Sequence, residues 1–115
     1  MAADCLFCKI AAGNAPARIV YADDAVTAFH DIRPQAGTHL LVIPNRHLDS
    51  LDAAGEEDAE LLARLLQVAA RVAREAGIAE SGYRVVTNTG AHGCQSVPHL
   101  HFHVLGGNQL SPVLG

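Results

Sequence analysis

The chain has 115 residues, of which half are apolar and 17% are charged. This size and composition predict one globular domain spanning residues 1–115, because a disordered chain carries fewer apolar and more charged residues. A net charge of −4 and an aromatic content of 4% argue against a nucleic-acid-binding surface, which needs basic and stacking side chains. No apolar stretch approaches the roughly 20 residues of a membrane span, so we expect a cytoplasmic protein with neither nucleic acid nor membrane as a partner.

The first half of the chain predicts three strands. Short β-prone runs at residues 19–21 and 26–29 flank an Asp-rich turn, a pattern typical of a hairpin. Leu40 to Ile43 form an unbroken apolar run that ends at Pro44, which indicates a strand buried on both faces of a sheet.

The second half predicts one long helix and two more strands. Between residues 56 and 76, apolar side chains recur at intervals of three and four positions, acidic residues stand at the start and Gly77 follows the end. This pattern is typical of an amphipathic helix. Runs at 83–88 and 99–105 predict strands, so the whole chain predicts an α+β domain with a largely antiparallel sheet.

The predicted helix is apolar around a wide arc that includes Leu61, Leu62, Leu65, Leu66 and Val68. One face of a single sheet covers less than this arc. We therefore expect the uncovered apolar surface to form a homodimer interface with two-fold symmetry. The alternative is a monomer whose own loops bury the helix.

Three histidines near the end of the chain alternate with apolar residues. In a strand, His99, His101 and His103 fall on one face, and the intervening apolar residues fall on the other. We expect the histidines to line a cleft, because buried imidazoles without partners are costly. A solvated histidine-rich face is one alternative.

A single metal ion held by all three histidines is a second alternative. The Cα atoms of the first and third lie roughly 13 Å apart in a strand, which is too far for one tetrahedral ion. Catalysis remains, with the central imidazole as nucleophile and its neighbours positioning what it attacks.

A Gly-containing loop at residues 88–96 precedes this strand. Glycine allows a close approach of the backbone to an anion, and the neutral donors of Asn88 and Ser96 suit phosphate oxygens. Together with the histidines, the loop indicates phosphoryl or nucleotidyl chemistry.

The segment His99 to Leu105 resembles the signature of the histidine triad (HIT) family, His-x-His-x-His-x-x. The similarity extends to Phe29–Ile32, His39–Pro44, Gly82–Arg84 and Gly93–Val97, and it is strongest to the nucleotide-binding branch, the purine nucleoside phosphoramidate hydrolases. The resemblance implies a HIT-like fold: a five-stranded, largely antiparallel sheet with one long helix, a short N-terminal helix and a two-fold dimer.

The same resemblance implies the chemistry. His101 would attack the α-phosphorus of a purine nucleoside 5'-phosphoramidate or acyl nucleotide, and water would then release the nucleoside monophosphate. His103 would contact the phosphate and the leaving group, while His99 and His39 would orient the nucleophile. No cofactor is needed for these steps. A dinucleoside polyphosphate hydrolase and a non-catalytic nucleotide-binding regulatory module are the alternatives.

The substrate-binding residues implied by the resemblance lie in two segments. Asn88, Cys94, Gln95 and Ser96 would surround the phosphate, and Asp31 with Ile32 would bound the ribose and base. Cys94 replaces a glycine that is typical of the branch. Residues 108–115 lack the tryptophan found near the end of some relatives, which leaves the leaving-group preference open.

Cys5 and Cys8 have a spacing that suits either a metal pair or a redox pair, or plain packing. Some bacterial relatives bind zinc through three elements: such a cysteine pair, a histidine that follows the strand ending in Ile-Pro, and the first histidine of the triad. Cys5, Cys8, His47 and His99 match that set, and two sulfurs with two nitrogens suit tetrahedral zinc. His47 has the alternative of capping the strand end.

His30 and His92 are predicted to be solvated residues of turns, without a catalytic function.

Overall fold

The structure, a computed structural model, describes residues 4–113. Its helices and strands are α1 (Leu6–Ala11), β1 (Ile19–Ala22), β2 (Val26–His30), β3 (Thr38–Pro44), α2 (Ala59–Glu75), β4 (Tyr83–Val86) and β5 (Phe102–Gly106). Over this described range, every helix is too short or too polar to cross a membrane.

The strands form one sheet in the order β1-β2-β3-β5-β4, and all neighbours are antiparallel. The expected α+β fold with a five-stranded antiparallel sheet and a short N-terminal helix is therefore confirmed. β3 lies at the centre and is buried from His39 to Pro44, as the apolar run predicted. The register sets His39 opposite Leu105 and Leu41 opposite His103, so His39 and His103 share one face as diagonal neighbours.

The long helix α2 covers one face of the sheet. Its buried residues Leu65, Val68 and Val72 pack in one cluster with apolar side chains of β2, β3 and β5. The predicted helix begins at residue 56, but Glu56–Asp58 is a 3-10 turn and the α-helix starts at Ala59. The buried carboxylate of Asp58 accepts the backbone N–H of Gly55 at 2.9 Å, which holds this first turn in its tighter form.

The short helix α1 covers the opposite face. Phe7 and Ile10 pack against Phe29, Leu41 and Ile43. Both faces of β3 are therefore buried, which explains why its sequence lacks the alternation of a half-exposed strand.

Two strand boundaries differ from the prediction. β4 ends at Val86 and β5 begins at Phe102, so His99 and His101 precede the strand. The N–H of Leu100 donates to the carbonyl of Leu48, in the segment after β3, at 2.6 Å rather than to a neighbouring strand. The alternation of faces holds nevertheless, because Leu100 and Phe102 pack in the α2 cluster while His99 and His101 contact Phe7 of α1.

Candidate active site and metal centre

His101 is held by a backbone contact that determines its tautomer. Its Nδ1 lies 2.7 Å from the carbonyl oxygen of His99. A carbonyl only accepts, so Nδ1 carries the proton and Nε2 of the neutral ring carries a lone pair. The side chain is 4% exposed and its ring packs edge-on to Phe7, with centroids 5.2 Å apart. The geometry thus gives one oriented, unprotonated nitrogen.

His39 and His103 form a second chain of hydrogen bonds with the opposite tautomer. The backbone N–H of Gln35 donates to Nδ1 of His39 at 2.9 Å, so the proton of neutral His39 is on Nε2. That nitrogen lies 2.8 Å from Nδ1 of His103, which must accept. Neutral His103 therefore carries its proton on Nε2, and the backbone of Gln35 determines this indirectly.

Both of these imidazoles favour the neutral form. Burial lowers the pKa of His103 to about 4, with smaller effects of the same sign from His101 and His39. Burial also lowers the pKa of His39, although Asp31 acts in the other direction. The carboxylate of Asp31 lies 3.3 Å from Nε2 of His39. At neutral pH His103 is thus an N–H donor without a positive charge.

The expectation that all three triad histidines line one cleft is wrong for His99. Its side chain is fully buried, at 0% exposure, because α1 covers this part of the chain and Phe7 packs against the ring. The two histidines that were expected to orient the nucleophile, His99 and His39, also act in a different way. His99 holds His101 through its carbonyl rather than its imidazole, and His39 holds His103.

A cavity of about 230 Å³, here called the first cavity, opens beside His101 and His103. Its walls are mainly apolar and include Phe7, Ile10 and Phe29. Three of the expected substrate-binding residues, Asp31, Ile32 and Ser96, also line it. Apolar walls with a few polar groups at one end suit a planar base joined to a phosphate.

Phe7 and Ile10 were not found by sequence reasoning as residues of this cavity. Their helix begins at the Cys5–Cys8 pair, which indicates a metal or redox site, and apolar side chains beside that pair carry no signal of a nucleoside cavity.

Hydrogen bonds of two side-chain amides, those of Asn88 and Gln95, hold the loop at residues 88–96 in place. Nδ2 of Asn88 donates to the carbonyl of Gly93 at 2.7 Å. The Gln95 amide accepts the N–H of Gly90 at 2.9 Å and donates to the carbonyl of Asp49 at 2.6 Å, so both of its ends have partners within the protein. Cys94 is exposed and has a φ of 62°, a conformation that favours glycine, in agreement with the residue it replaces.

A second cavity, of about 500 Å³, is also lined by His103. His103, His39, Gln35, Asn88 and Arg84 contribute to its lining. His101 contributes to the first cavity and is not among the residues of the second.

Four side chains of the sequence-predicted metal set come together beside α1. One ligand atom from each of Cys5, Cys8, His47 and His99 lies within 4.8 Å of every other. Nδ1 of His99 is 3.2 Å from Sγ of Cys5, and Nδ1 of His47 is 3.2 Å from Sγ of Cys8. These separations match the edges of a tetrahedron of ligands around one zinc ion.

The hydrogen bonds of the two histidines in this cluster place the ring proton on Nε2 and leave Nδ1 free to bind a metal ion. Nε2 of His99 lies 2.9 Å from the carbonyl of Pro44, and Nε2 of His47 lies 2.7 Å from the carboxylate of Asp49. Both partners accept, so both Nδ1 atoms direct lone pairs towards the sulfurs, as metal-bound histidines do. Burial raises the pKa of the Cys8 thiol to about 11, so a thiolate here requires a cation.

The remaining histidines differ from each other. His92 is exposed in the loop, as predicted. The prediction of a solvated turn is wrong for His30, which is the last residue of β2 and half-buried. Its N–H donates to the carbonyl of Arg18 at 3.1 Å, which extends the strand by one residue, and burial lowers the pKa of its ring.

Comparison with known proteins places these features in context. The family model described as HIT domain matches residues 12–110. The chain is 48% identical over 114 residues to the purine nucleoside phosphoramidase of Escherichia coli strain K12, an alignment that covers 99% of this chain and 96% of that protein.

Solved structures show the same similarity. A HIT family hydrolase from Legionella pneumophila Philadelphia 1 superposes with a TM-score of 0.92 at 48% identity, covering 95% of this chain and 97% of that one. A Zn-bound histidine triad family protein from Mycobacterium smegmatis has a TM-score of 0.79 at 35% identity, with coverages of 97% and 83%.

Proposed function

The chain belongs to the HIT domain family, and on that premise we propose that it is a hydrolase that cleaves purine nucleoside 5'-phosphoramidates to nucleoside monophosphates. The observation that carries the proposal is the 2.7 Å contact between Nδ1 of His101 and the carbonyl of His99. It leaves Nε2 unprotonated beside a cavity with apolar walls, which is what a nucleophilic imidazole needs.

The reaction proceeds in two displacements. In the first, the lone pair of His101 Nε2 attacks phosphorus and the P–N bond breaks. The departing nitrogen keeps the bonding electron pair and takes up one proton from solvent. In the second, a water oxygen attacks phosphorus, the P–Nε2 bond breaks with its electron pair returning to the imidazole, and one water proton is released. One water is consumed overall, and His101 is regenerated.

The neighbouring groups act without changing their own protonation. His103 donates its Nε2–H to an oxygen on phosphorus or to the departing nitrogen, which stabilises the charge that develops there. Asp31 and Ile32 bound the nucleoside at the mouth of the first cavity, and Ser96 offers a hydroxyl to the phosphate. Asn88 contributes from the side of the second cavity, while Gln95 and Cys94 shape the loop.

The test is the fate of adenosine 5'-phosphoramidate. We expect the wild-type protein to release AMP and to give, on rapid quench in alkaline denaturant, which preserves a phosphorus–imidazole bond, a chain heavier by one adenylyl group. His101→Ala should abolish both signals and keep AMP affinity within about tenfold, since the nucleophile acts in the chemical step rather than in binding. His92→Ala, at an exposed loop position, is the matched control. AMP release by His101→Ala at the wild-type rate would overturn the assignment.

We also propose that Cys5, Cys8, His47 and His99 hold a structural zinc ion. The support is the convergence of their ligand atoms and the hydrogen bonds that direct both histidine lone pairs inward. Zinc would tie α1 to the segment before β5 and so hold Phe7 against His101. The displacement steps use only side chains and water.

A homodimer is the third element of the proposal. β4 is an edge strand, and its residues Tyr83 and Val85 are 36% and 37% exposed. Leu66 of α2, within the arc singled out in the sequence, is 51% exposed. Pairing of two β4 edges would cover unpaired backbone groups together with apolar side chains.

A further inference from the structure

The backbone of His101 lies just outside the sheet. β5 begins one residue later, at Phe102. The pairing of β5 with β4 starts at His103, opposite Val86, and its pairing with β3 starts at Phe102. The strand pairing that fixes β5 therefore begins after the residue proposed as nucleophile, and His101 depends on contacts of its own for its position.

Three hydrogen bonds hold His101 and the residue before it. The N–H of Leu100 donates to the carbonyl of Leu48 at 2.6 Å. Nδ1 of His101 donates to the carbonyl of His99 at 2.7 Å. The third bond comes from the segment after β4, where the hydroxyl of Thr87 donates to the carbonyl of His101 at 2.8 Å. Of these three bonds, it alone depends on the side chain of another residue, so it alone can be removed without changing the imidazole.

Thr87 directly follows Val86, the residue at which the ladder between β4 and β5 ends. Its hydroxyl joins the two chain segments where their backbones are no longer paired. The branched side chain of threonine has few rotamers, and Thr87 is half-buried, so the direction of its hydroxyl is well defined. His101 is 4% exposed, so loss of the hydroxyl would leave a buried carbonyl without this partner.

The bond to Thr87 completes the orientation of the nucleophilic ring. The contact with His99 holds the imidazole against the chain before His101, and the contact with Thr87 holds the peptide unit after it. Together they determine where the ring points and hence where Nε2 lies. Displacement at phosphorus needs the attacking and departing atoms roughly in line, and a misplacement of about 1 Å can slow such a step by about a hundredfold.

Thr87 lies apart from the substrate. Among the described residues that line the first and second cavities, Thr87 does not occur. Its hydroxyl therefore contributes to the position of His101 and not to the binding of a nucleotide. Loss of the hydroxyl is expected to slow the chemical step and to leave nucleotide affinity unchanged.

We propose that Thr87 is a positioning residue for the nucleophile: its hydroxyl fixes the backbone of His101 so that Nε2 faces phosphorus in line with the departing group. The inference rests on the proposed phosphoramidate hydrolysis, in which His101 is the nucleophile, and adds a residue beyond those that contact the substrate. The bonds broken and formed are those of the two displacements already given.

The experiment removes the donor and keeps the shape of the side chain. In Thr87→Val, the single-turnover rate of adenylyl transfer from adenosine 5'-phosphoramidate to His101 should fall by about tenfold, the size of one lost hydrogen bond. The Kd for AMP should stay within about twofold of the wild-type value. Thr87→Ser restores a hydroxyl and should recover most of the rate. Thr87→Ala, a smaller side chain without a donor, should be slow like Thr87→Val.

Thr27→Val is the matched control for loss of stability. It removes a buried hydroxyl of β2 that donates to Oδ1 of Asn45 at 2.6 Å. This variant should lower the midpoint of thermal unfolding and keep the rate of adenylyl transfer within about twofold of wild type. Equal slowing by Thr27→Val and Thr87→Val would mean that the rate follows stability, and would overturn the proposal.

A second measurement does not depend on turnover. The ¹³C resonance of the His101 carbonyl reports on its hydrogen bond, and it should shift in Thr87→Val and return in Thr87→Ser. An unchanged resonance, or an unchanged rate in Thr87→Val, would overturn the positioning. Failure of the wild-type protein to cleave any phosphoramidate would instead overturn the proposed function, while the resonance would still test the bond from Thr87, so the two failures are distinguishable.

Discussion

His99 joins the metal cluster to the nucleophile: its carbonyl oxygen accepts the Nδ1–H of His101 at 2.7 Å, while its own Nδ1 lies 3.2 Å from Sγ of Cys5. One residue thus holds the catalytic imidazole through its backbone and the thiols through its ring. Phe7, between the two cysteines in sequence, packs against the rings of both histidines. Loosening the cluster is expected to disturb both the wall of the first cavity and the orientation of His101.

Zinc content tests this connection. Protein purified without a metal-affinity step should contain about one zinc per chain, as four ligands imply. Cys8→Ser should lose the metal, lower the midpoint of thermal unfolding and weaken AMP binding, because α1 is no longer tied down. Atomic emission, scanning calorimetry and titration calorimetry measure the three effects.

Cys94→Ser is the control for this experiment, since that thiol is exposed in the loop and outside the cluster. It should keep its zinc. Wild-type protein without zinc, or Cys8→Ser with a full complement, would exclude these ligands.

The tautomers of the site can be observed directly. Ring ¹⁵N chemical shifts at pH 7 should show the proton on Nδ1 for His101 and on Nε2 for His39 and His103. Gln35→Pro removes the backbone N–H that donates to His39, so we expect its tautomer preference to weaken and kcat to fall by roughly tenfold, in line with one lost hydrogen bond.

Gln35→Ala is the matched control, because it removes the side chain and keeps the amide N–H. It should retain the wild-type shifts and most of the activity. Equal loss of activity in both variants, with unchanged ¹⁵N shifts, would mean that the amide does not determine the tautomer.

Stability should decrease in mild acid. The pKa of His103 is lowered from an ordinary 6.5 to about 4 by burial, so between these values the unfolded chain binds more protons than the folded one. Stability is then full above about pH 6.5 and decreases as pH falls towards 4. Burial lowers the pKa of His39 and His99 in the same direction.

Urea titrations of wild type and His103→Asn between pH 7 and pH 4 isolate the contribution of His103. His103 contributes about 1 to 2 kcal/mol to the free energy of unfolding that is lost over this pH range. This is less than the full change in its pKa implies, because the ring is only half-buried. The variant should show the shallower loss. Identical slopes for the two proteins would contradict a buried neutral His103.

The proposed dimer predicts a mass near twice that of the chain by light scattering at micromolar concentration. Val85→Glu places a charge on the exposed face of β4 and should shift the population towards monomer. Ile19→Glu makes the same change on β1, the opposite edge strand, where Ile19 is 46% exposed, and should leave the dimer intact. A monomeric wild-type protein, or dissociation by Ile19→Glu alone, would exclude the β4 interface.

The sequence by itself determined features that depend only on the helix or strand to which a residue belongs. The three- and four-residue spacing placed α2, and the alternation from His99 to Val104 correctly separated histidines from the side chains that pack beneath α2. Such patterns succeed because the period of a strand or helix fixes which face each side chain takes. The zinc, the dimer and the cytoplasmic location stay predictions.

The tertiary structure decided what lies against each face. His99 leaves the cleft because α1, from the other end of the chain, covers it, and its contact with Cys5 spans 94 positions. His39 meets His103 rather than His101 because the β3–β5 register makes them diagonal neighbours. The pairing of β4 with β5 likewise brings Arg84 to the face of His103. Local periodicity contains no record of such partners, since they depend on register and on the packing of distant segments.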